Sequence, residues 1–112
     1  MEIGETLEVS GPEEFADWLA ANADQKRDIW VMIYKKASGK QTVTYEQLVE
    51  TALCYGWIDG LAKGIDAEKY AQRFSPRRKG SHWTETNRAL ARRLIAEGRM
   101  TPQGQAALPA DF

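Results

Sequence analysis

The stretch Asp28-Ile-Trp-Val-Met-Ile-Tyr-Lys35 constrains this chain more than any other. Its six central residues are β-branched, aromatic or otherwise apolar, with no polar member at alternate positions. Such a run predicts an interior strand with both faces covered, because a half-exposed strand alternates. At six residues it is far too short to cross a bilayer. The remaining sequence must therefore supply partner strands and covering helices within 112 residues, a length that fits one domain over 1–112.

Helix signals flank that strand. Ser10-Gly11-Pro12-Glu13 has the spacing of a capping box, with Ser10 as cap and proline early in the first turn. Phe15, Trp18 and Leu19 then form one apolar face, and the polar Asn22 places the exit near 22–24. Leu7 to Val9 reads as a short edge strand, and residues 37–40 as a loop. Thr44-Tyr45-Glu46-Gln47 repeats the capping-box spacing ahead of Leu48, Val49, Ala52 and Leu53, with Gly56 as terminator.

Trp57–Ile65 and Tyr70–Phe74 read as two strands whose four-residue link, Asp66–Lys69, predicts an antiparallel hairpin. Gly60 and Gly64 predict a bulge in the first strand. Thr84 caps a helix to about Glu97, with Leu90, Ala91, Leu94 and Ile95 inward and Gly98 beyond it. Thr101-Pro102 opens a last short helix that Pro109 stops. The expected class is α+β: a small, mainly antiparallel sheet packed by about three main helices. Trp18, Trp30 and Tyr34 are expected in the core.

Charge is distributed unevenly although the net value is only −1. Residues 1–24 carry seven acids and no Lys or Arg, whereas residues 73–99 carry eight bases against two acids. Two explanations compete: an acidic first helix facing a basic later one, or a surface that steers an anionic partner. The first is favoured slightly. The single cysteine, Cys54, excludes an internal disulfide and a Cys-rich zinc site, and one histidine with scattered acids gives no metal site. Ser38-Gly39-Lys40 lacks the glycine-rich lead of a phosphate loop, so no cofactor is indicated. The first residues have no signal-peptide pattern, and reliance on packing alone fits a reducing compartment, so a cytoplasmic location without membrane insertion is expected.

Several ordered motifs resemble those of the YdeI/OmpD-associated family, also called bacteriocin-protection proteins. They are Ala52-Leu-Cys-Tyr-Gly-Trp-Ile-Asp-Gly60, Arg73-Phe-Ser-Pro-Arg-Arg78, Ser81-His-Trp-Thr84 with Asn87, and Gly98-Arg-Met-Thr-Pro-Gln-Gly104. The Trp30–Lys36 run and Thr44-Tyr45 match as well, so the resemblance covers roughly residues 12–105. It implies a connection with bacteriocin tolerance and envelope stress, without an agreed reaction; the function expected here is that of a non-enzymatic stress or bacteriocin-tolerance type of protein.

The residues themselves offer three chemistries. Trp57, Asp59, Arg73, Arg77, Arg78, Lys79, Ser81, Trp83 and Asn87 suggest a basic and aromatic surface for an anionic small molecule or protein segment. Arginine grips carboxylate and phosphate bidentately, and an indole can stack on ligand or guanidinium. In this reading Asp59 and Arg73 meet across the hairpin. The alternative is nucleic acid, with Arg77, Arg78 and Lys79 extended by Arg88, Arg92 and Arg99 along a helix. The third is a thiol enzyme using Cys54, His82 and Asp59, although no dyad spacing supports it.

Overall fold

The computed structural model describes residues 1–112. In chain order the elements are β1 (Thr6–Leu7), α1 (Pro12–Asn22), β2 (Ile29–Tyr34), a 3-10 turn (Lys36–Ser38), α2 (Tyr45–Cys54), β3 (Trp57–Gly64), β4 (Lys69–Pro76), α3 (Glu85–Ala96) and α4 (Pro102–Ala106). The four strands form one sheet in the order β1-β2-β4-β3. Only the two-residue β1 runs parallel to its neighbour; β2–β4 and β4–β3 are antiparallel. The fold is therefore α+β, with a mainly antiparallel sheet and three helices of ten or more residues.

Local chemistry explains most boundaries. Thr44 caps α2 through a complete capping box with Gln47. Thr84 and Thr101 accept from the backbone N–H three residues on, opening α3 and α4. At α1 the cap differs from expectation: Gly11 holds that position, and the Ser10 backbone and hydroxyl both donate to the Glu14 carboxylate, at 2.7 and 2.9 Å. Proline at the start of α1 removes one of the first-turn amides that a cap would otherwise have to satisfy. In the β3–β4 turn, Asp66 accepts from the Glu68 and Lys69 backbone amides at 2.8 and 3.0 Å.

Ile29, Val31 and Ile33 share one sheet face with Phe74, which stands opposite Ile29. Against them pack Phe15 and Leu19 from α1 and Leu48 and Ala52 from α2, forming the main core. The Phe15 and Phe74 rings lie 5.2 Å apart, and Trp18 meets Trp57 edge-on at 5.7 Å.

The expectation that both faces of β2 are covered holds at Trp30 and less fully at Met32 and Tyr34, which are half-buried, but no apolar cluster supplies the cover on that face. Trp30, Met32 and Tyr34 belong to neither apolar cluster. Their face is dressed instead by polar arms of the sheet: Arg73, opposite Trp30, pairs with Asp28 at 3.0 Å, and the Lys69 ammonium sits 5.4 Å over the Tyr34 ring. Aliphatic stems cover apolar surface while their charges stay wet, so an unbroken apolar run does not require a second helical layer. Trp30 is nonetheless fully buried.

The hairpin register shifts between Asp59 and Ala62, at the predicted bulge. The buried Gln72 amide fills it by donating to the carbonyls of Gly60 and Leu61 at 2.9 and 3.2 Å. A second, smaller cluster lies under α3, comprising Leu53, Cys54, Trp83, Ala91 and Leu94. Ile95, expected inward, is 39% exposed.

No ion pair joins the acidic first helix to the basic one, although Glu13 of α1 lines one hollow with Arg99. The α3 and post-α3 cations meet α2 instead: Arg93 and Arg99 both pair with Glu50, at 2.7 and 3.1 Å. Arg93 also pairs with Glu97 one turn on, at 3.0 Å.

Candidate functional site

The seam between the sheet and the C-terminal cluster is an open cleft of about 1000 Å³. Three local features build it. Gly56, at φ +77°, ends α2 in the left-handed conformation and turns the chain into β3, and its carbonyl accepts from the Arg77 backbone amide at 2.9 Å. That bond fixes where β4 leaves the sheet and where the loop 77–83 begins. On the other wall, α4 lies against the end of α2. A Cβ on Gly104 would stand 2.2 Å from the Cys54 carbonyl oxygen, so only glycine permits this approach. The Thr101 hydroxyl and amide both donate to that same carbonyl.

Arg77 is the centre of the cleft. Its guanidinium carbon lies 3.9 Å above the Trp83 ring. Nη1 reaches the Ser81 hydroxyl only at 3.5 Å, and Nε is buried with no hydrogen-bond partner. No carboxylate pairs with Arg77, Arg78 or Lys79; all three line the cleft, joined by Arg88. Burial pulls the Arg77 pKa below its ordinary value, with the Asp59 charge acting weakly the other way. The guanidinium is thus a cation stripped of water on one side and left short of a counter-ion.

Of the nine residues expected at a binding surface, Trp57, Arg77, Arg78, Lys79, Ser81 and Trp83 line this one cleft. Asp59, Arg73 and Asn87 do not. Asp59 stands opposite Phe74, not Arg73, so strand alternation sends Asp59 and Arg73 to opposite faces. Asp59 accepts a hydrogen bond from the Tyr45 hydroxyl, and Arg73 pairs with Asp28 instead. Asn87 closes the α3 cap through its backbone.

The indoles also play a narrower part than expected. Trp57 and Trp83 are 2% and 6% exposed, so neither offers a free ring face to a ligand. Trp83 backs the guanidinium, and Trp57 anchors the floor by donating from Nε1 to the Ala23 carbonyl at 3.4 Å.

Sequence reasoning missed the far wall. Gln103, Ala107 and Asp111 line it, and Arg88 reaches Asp111 at 3.2 Å. The available signal was Gly56 with Gly104, two small residues able to bring helix ends close, but their partnership is spatial.

The remaining chemistries separate in space. Cys54 lines a different hollow, of about 340 Å³, with Thr51, Tyr55 and Arg99, while His82 lies on the main cleft. Burial pushes the Cys54 thiol above its ordinary pKa, partly countered by Arg99, opposite to what a nucleophile needs. The arginines of the proposed nucleic-acid stripe are largely engaged internally: Arg88 with Asp111, Arg99 with Glu50 and Glu97, and Arg92 over the Phe112 ring at 5.3 Å. No helix is long and apolar enough to cross a membrane.

No curated protein and no solved structure matches the chain. A family model does, described as "Domain of unknown function (DUF8412)"; it matches residues 7–107, from β1 through α4, and the chain therefore belongs to that family.

Proposed function

We propose that this protein is a non-enzymatic binder of an anionic small molecule, held at the cleft between loop 77–83 and α4. The observation that carries this reading is the state of Arg77. A half-buried guanidinium with an unpartnered Nε and no carboxylate paired with it is costly to maintain. An arriving phosphate or carboxylate would supply the missing acceptor, and Arg78, Lys79 and Arg88 would add attraction. Ser81 stands beside Nη1 as a neutral donor for a remaining anion oxygen. The ligand's charged end is therefore the recognised part.

The proposal extends to the kinship and setting that the sequence motifs imply: a bacteriocin-tolerance type of protein in the cytoplasm. It rests there on the resemblance and on reliance on packing without a disulfide, Cys54 being free and buried.

Titration of ¹⁵N-labelled protein with inorganic phosphate, nucleotides and short acidic peptides tests the reading. The expected outcome is shifts at the Trp83 indole and the Ser81 amide with at least the small anions. Arg77→Met, which keeps an apolar stem over Trp83, should weaken binding roughly tenfold or more, as loss of a charged hydrogen bond does. Circular dichroism of the variant should remain native. Absence of shifts around loop 77–83 for every ligand would overturn the reading, and shifts dominated by peptides would replace the small molecule with a protein segment.

A further inference from the structure

The cleft holds a fourth cation, Arg88, and one carboxylate, that of Asp111. Arg88 belongs to the first turn of α3 and is bound there through its own amide to the Thr84 carbonyl at 2.9 Å. Its Nη2 donates to both Asp111 oxygens, at 3.2 and 3.4 Å. The two partners are held very differently. The Arg88 side chain is 20% exposed, whereas the Asp111 side chain is 76% exposed.

The backbone around Asp111 is equally loosely tied. The amide bonds formed by residues 107–112 outside regular structure reach only Gly104, Gln105 and Pro109, all within four positions. What fastens the tail to the body is side chains alone: Leu108 and Phe112 against the smaller apolar cluster, the Phe112 ring under Arg92, and the Asp111 carboxylate on Arg88. Asp111 also lies beyond the stretch 7–107 that the family model matches, whereas Arg77, Arg78, Lys79 and Arg88 lie within it.

We infer that Arg88 is a second anion anchor of the cleft and that the Asp111 carboxylate is a built-in competitor for it, displaced when a ligand carrying two anionic groups binds. The inference rests on the reading of the cleft given above and deepens it. One anionic group meets the unpaired Arg77, and the other takes the place that the tail carboxylate holds on Arg88. A carboxylate on an exposed tail is the natural partner to leave, because its departure returns it to water, whereas a lone Arg88 would stay half-sheltered. Exposed pairs of this kind contribute about 0.2–1 kcal/mol, so the competitor tunes affinity without closing the site.

Inorganic pyrophosphate is the probe, titrated by calorimetry into wild type, Asp111→Asn, Arg88→Gln and the double variant. Asp111→Asn should bind roughly 1.4- to fivefold more tightly than wild type, the range such a pair spans. Arg88→Gln should bind more weakly, and adding Asp111→Asn to it should restore nothing, since the competition is then gone. Equal affinity in wild type and Asp111→Asn overturns the competitor while leaving the cleft reading intact. The same tightening in the Arg88→Gln background also overturns it, because the effect would then be one of overall charge. Binding seen only in Asp111→Asn supports both, and no binding in any variant overturns both.

Discussion

Two regions of this molecule handle charge in opposite ways. Around Phe74, eleven buried apolar residues from β2, β3, β4, α1, α2 and the adjoining segments interlock. The charged groups near that core find partners: Arg73 with Asp28, and Asp59 with Tyr45. Around Leu94 only five buried residues gather. There the outer side of α3 is knitted to Glu50 and its cleft-facing Arg88 to Asp111, while Arg77, Arg78 and Lys79 on the neighbouring loop form no ion pair. The larger region provides stability by burial; the smaller one is where stability gives way to an unneutralised site. A perturbed cation beside an open cleft is what a binding site looks like in physical terms.

Three measurements break or sharpen this contrast. The largest effect belongs to the sheet side. Phe74→Ala removes a fully buried ring that touches Phe15 and should cost about 4 kcal/mol by urea denaturation. Loss should be global, with every tryptophan unfolding together; an independent transition for the α3–α4 region would mean that the two regions do not share one cooperative unit.

Gly104→Ala comes next. Its Cβ would collide with the Cys54 carbonyl and the Met100 sulfur, contacts that cannot both relax. About 3 kcal/mol is expected, the upper end of the usual range for overpacking, because the contact is with backbone. The separable result is in the cleft: anion binding should fall more steeply than stability, because α4 carries Gln103 and Ala106 on the far wall. A native-like affinity in this variant would show that the far wall contributes nothing.

The smallest effect is one of pH. Burial raises the pKa values of Cys54, Tyr55 and Tyr70, and burial with the Asp59 carboxylate raises that of Tyr45. Each is therefore held protonated in the folded chain while the unfolded chain releases its proton. Stability is fully present below the ordinary thiol and phenol values and declines as pH climbs above about 9. Urea midpoints at pH 7, 9 and 10 should decrease in that order. A flat series would mean that these groups are as free in the native chain as in the unfolded one.

Much of this architecture was legible in the sequence, for reasons that differ by element. The capping box at Thr44, the threonine caps at 84 and 101, and glycine after α2 and α3 are local devices, and they act where they stand. The hairpin and its bulge followed from turn chemistry and from Gly60. Register did not: a one-residue difference in pairing decides whether Asp59 meets Arg73 or Tyr45, and nothing local sets it. The same holds for the covering of β2, which depends on where long polar side chains come to lie. In the cleft, the near wall was readable because loop 77–83 is contiguous. The far wall was not, since it arises only when α4 docks on the end of α2, some fifty residues earlier in the chain.

The sheet order carries one more consequence, for synthesis on the ribosome. β2 emerges early and finds only the two-residue β1 to its side, yet its full-length partner β4 is translated about forty positions later. During that interval an apolar hexapeptide waits with one edge open, the kind of segment that recruits holding chaperones or self-associates. Slowing elongation between codons 35 and 69 should therefore reduce soluble yield of a chain whose finished form is well packed.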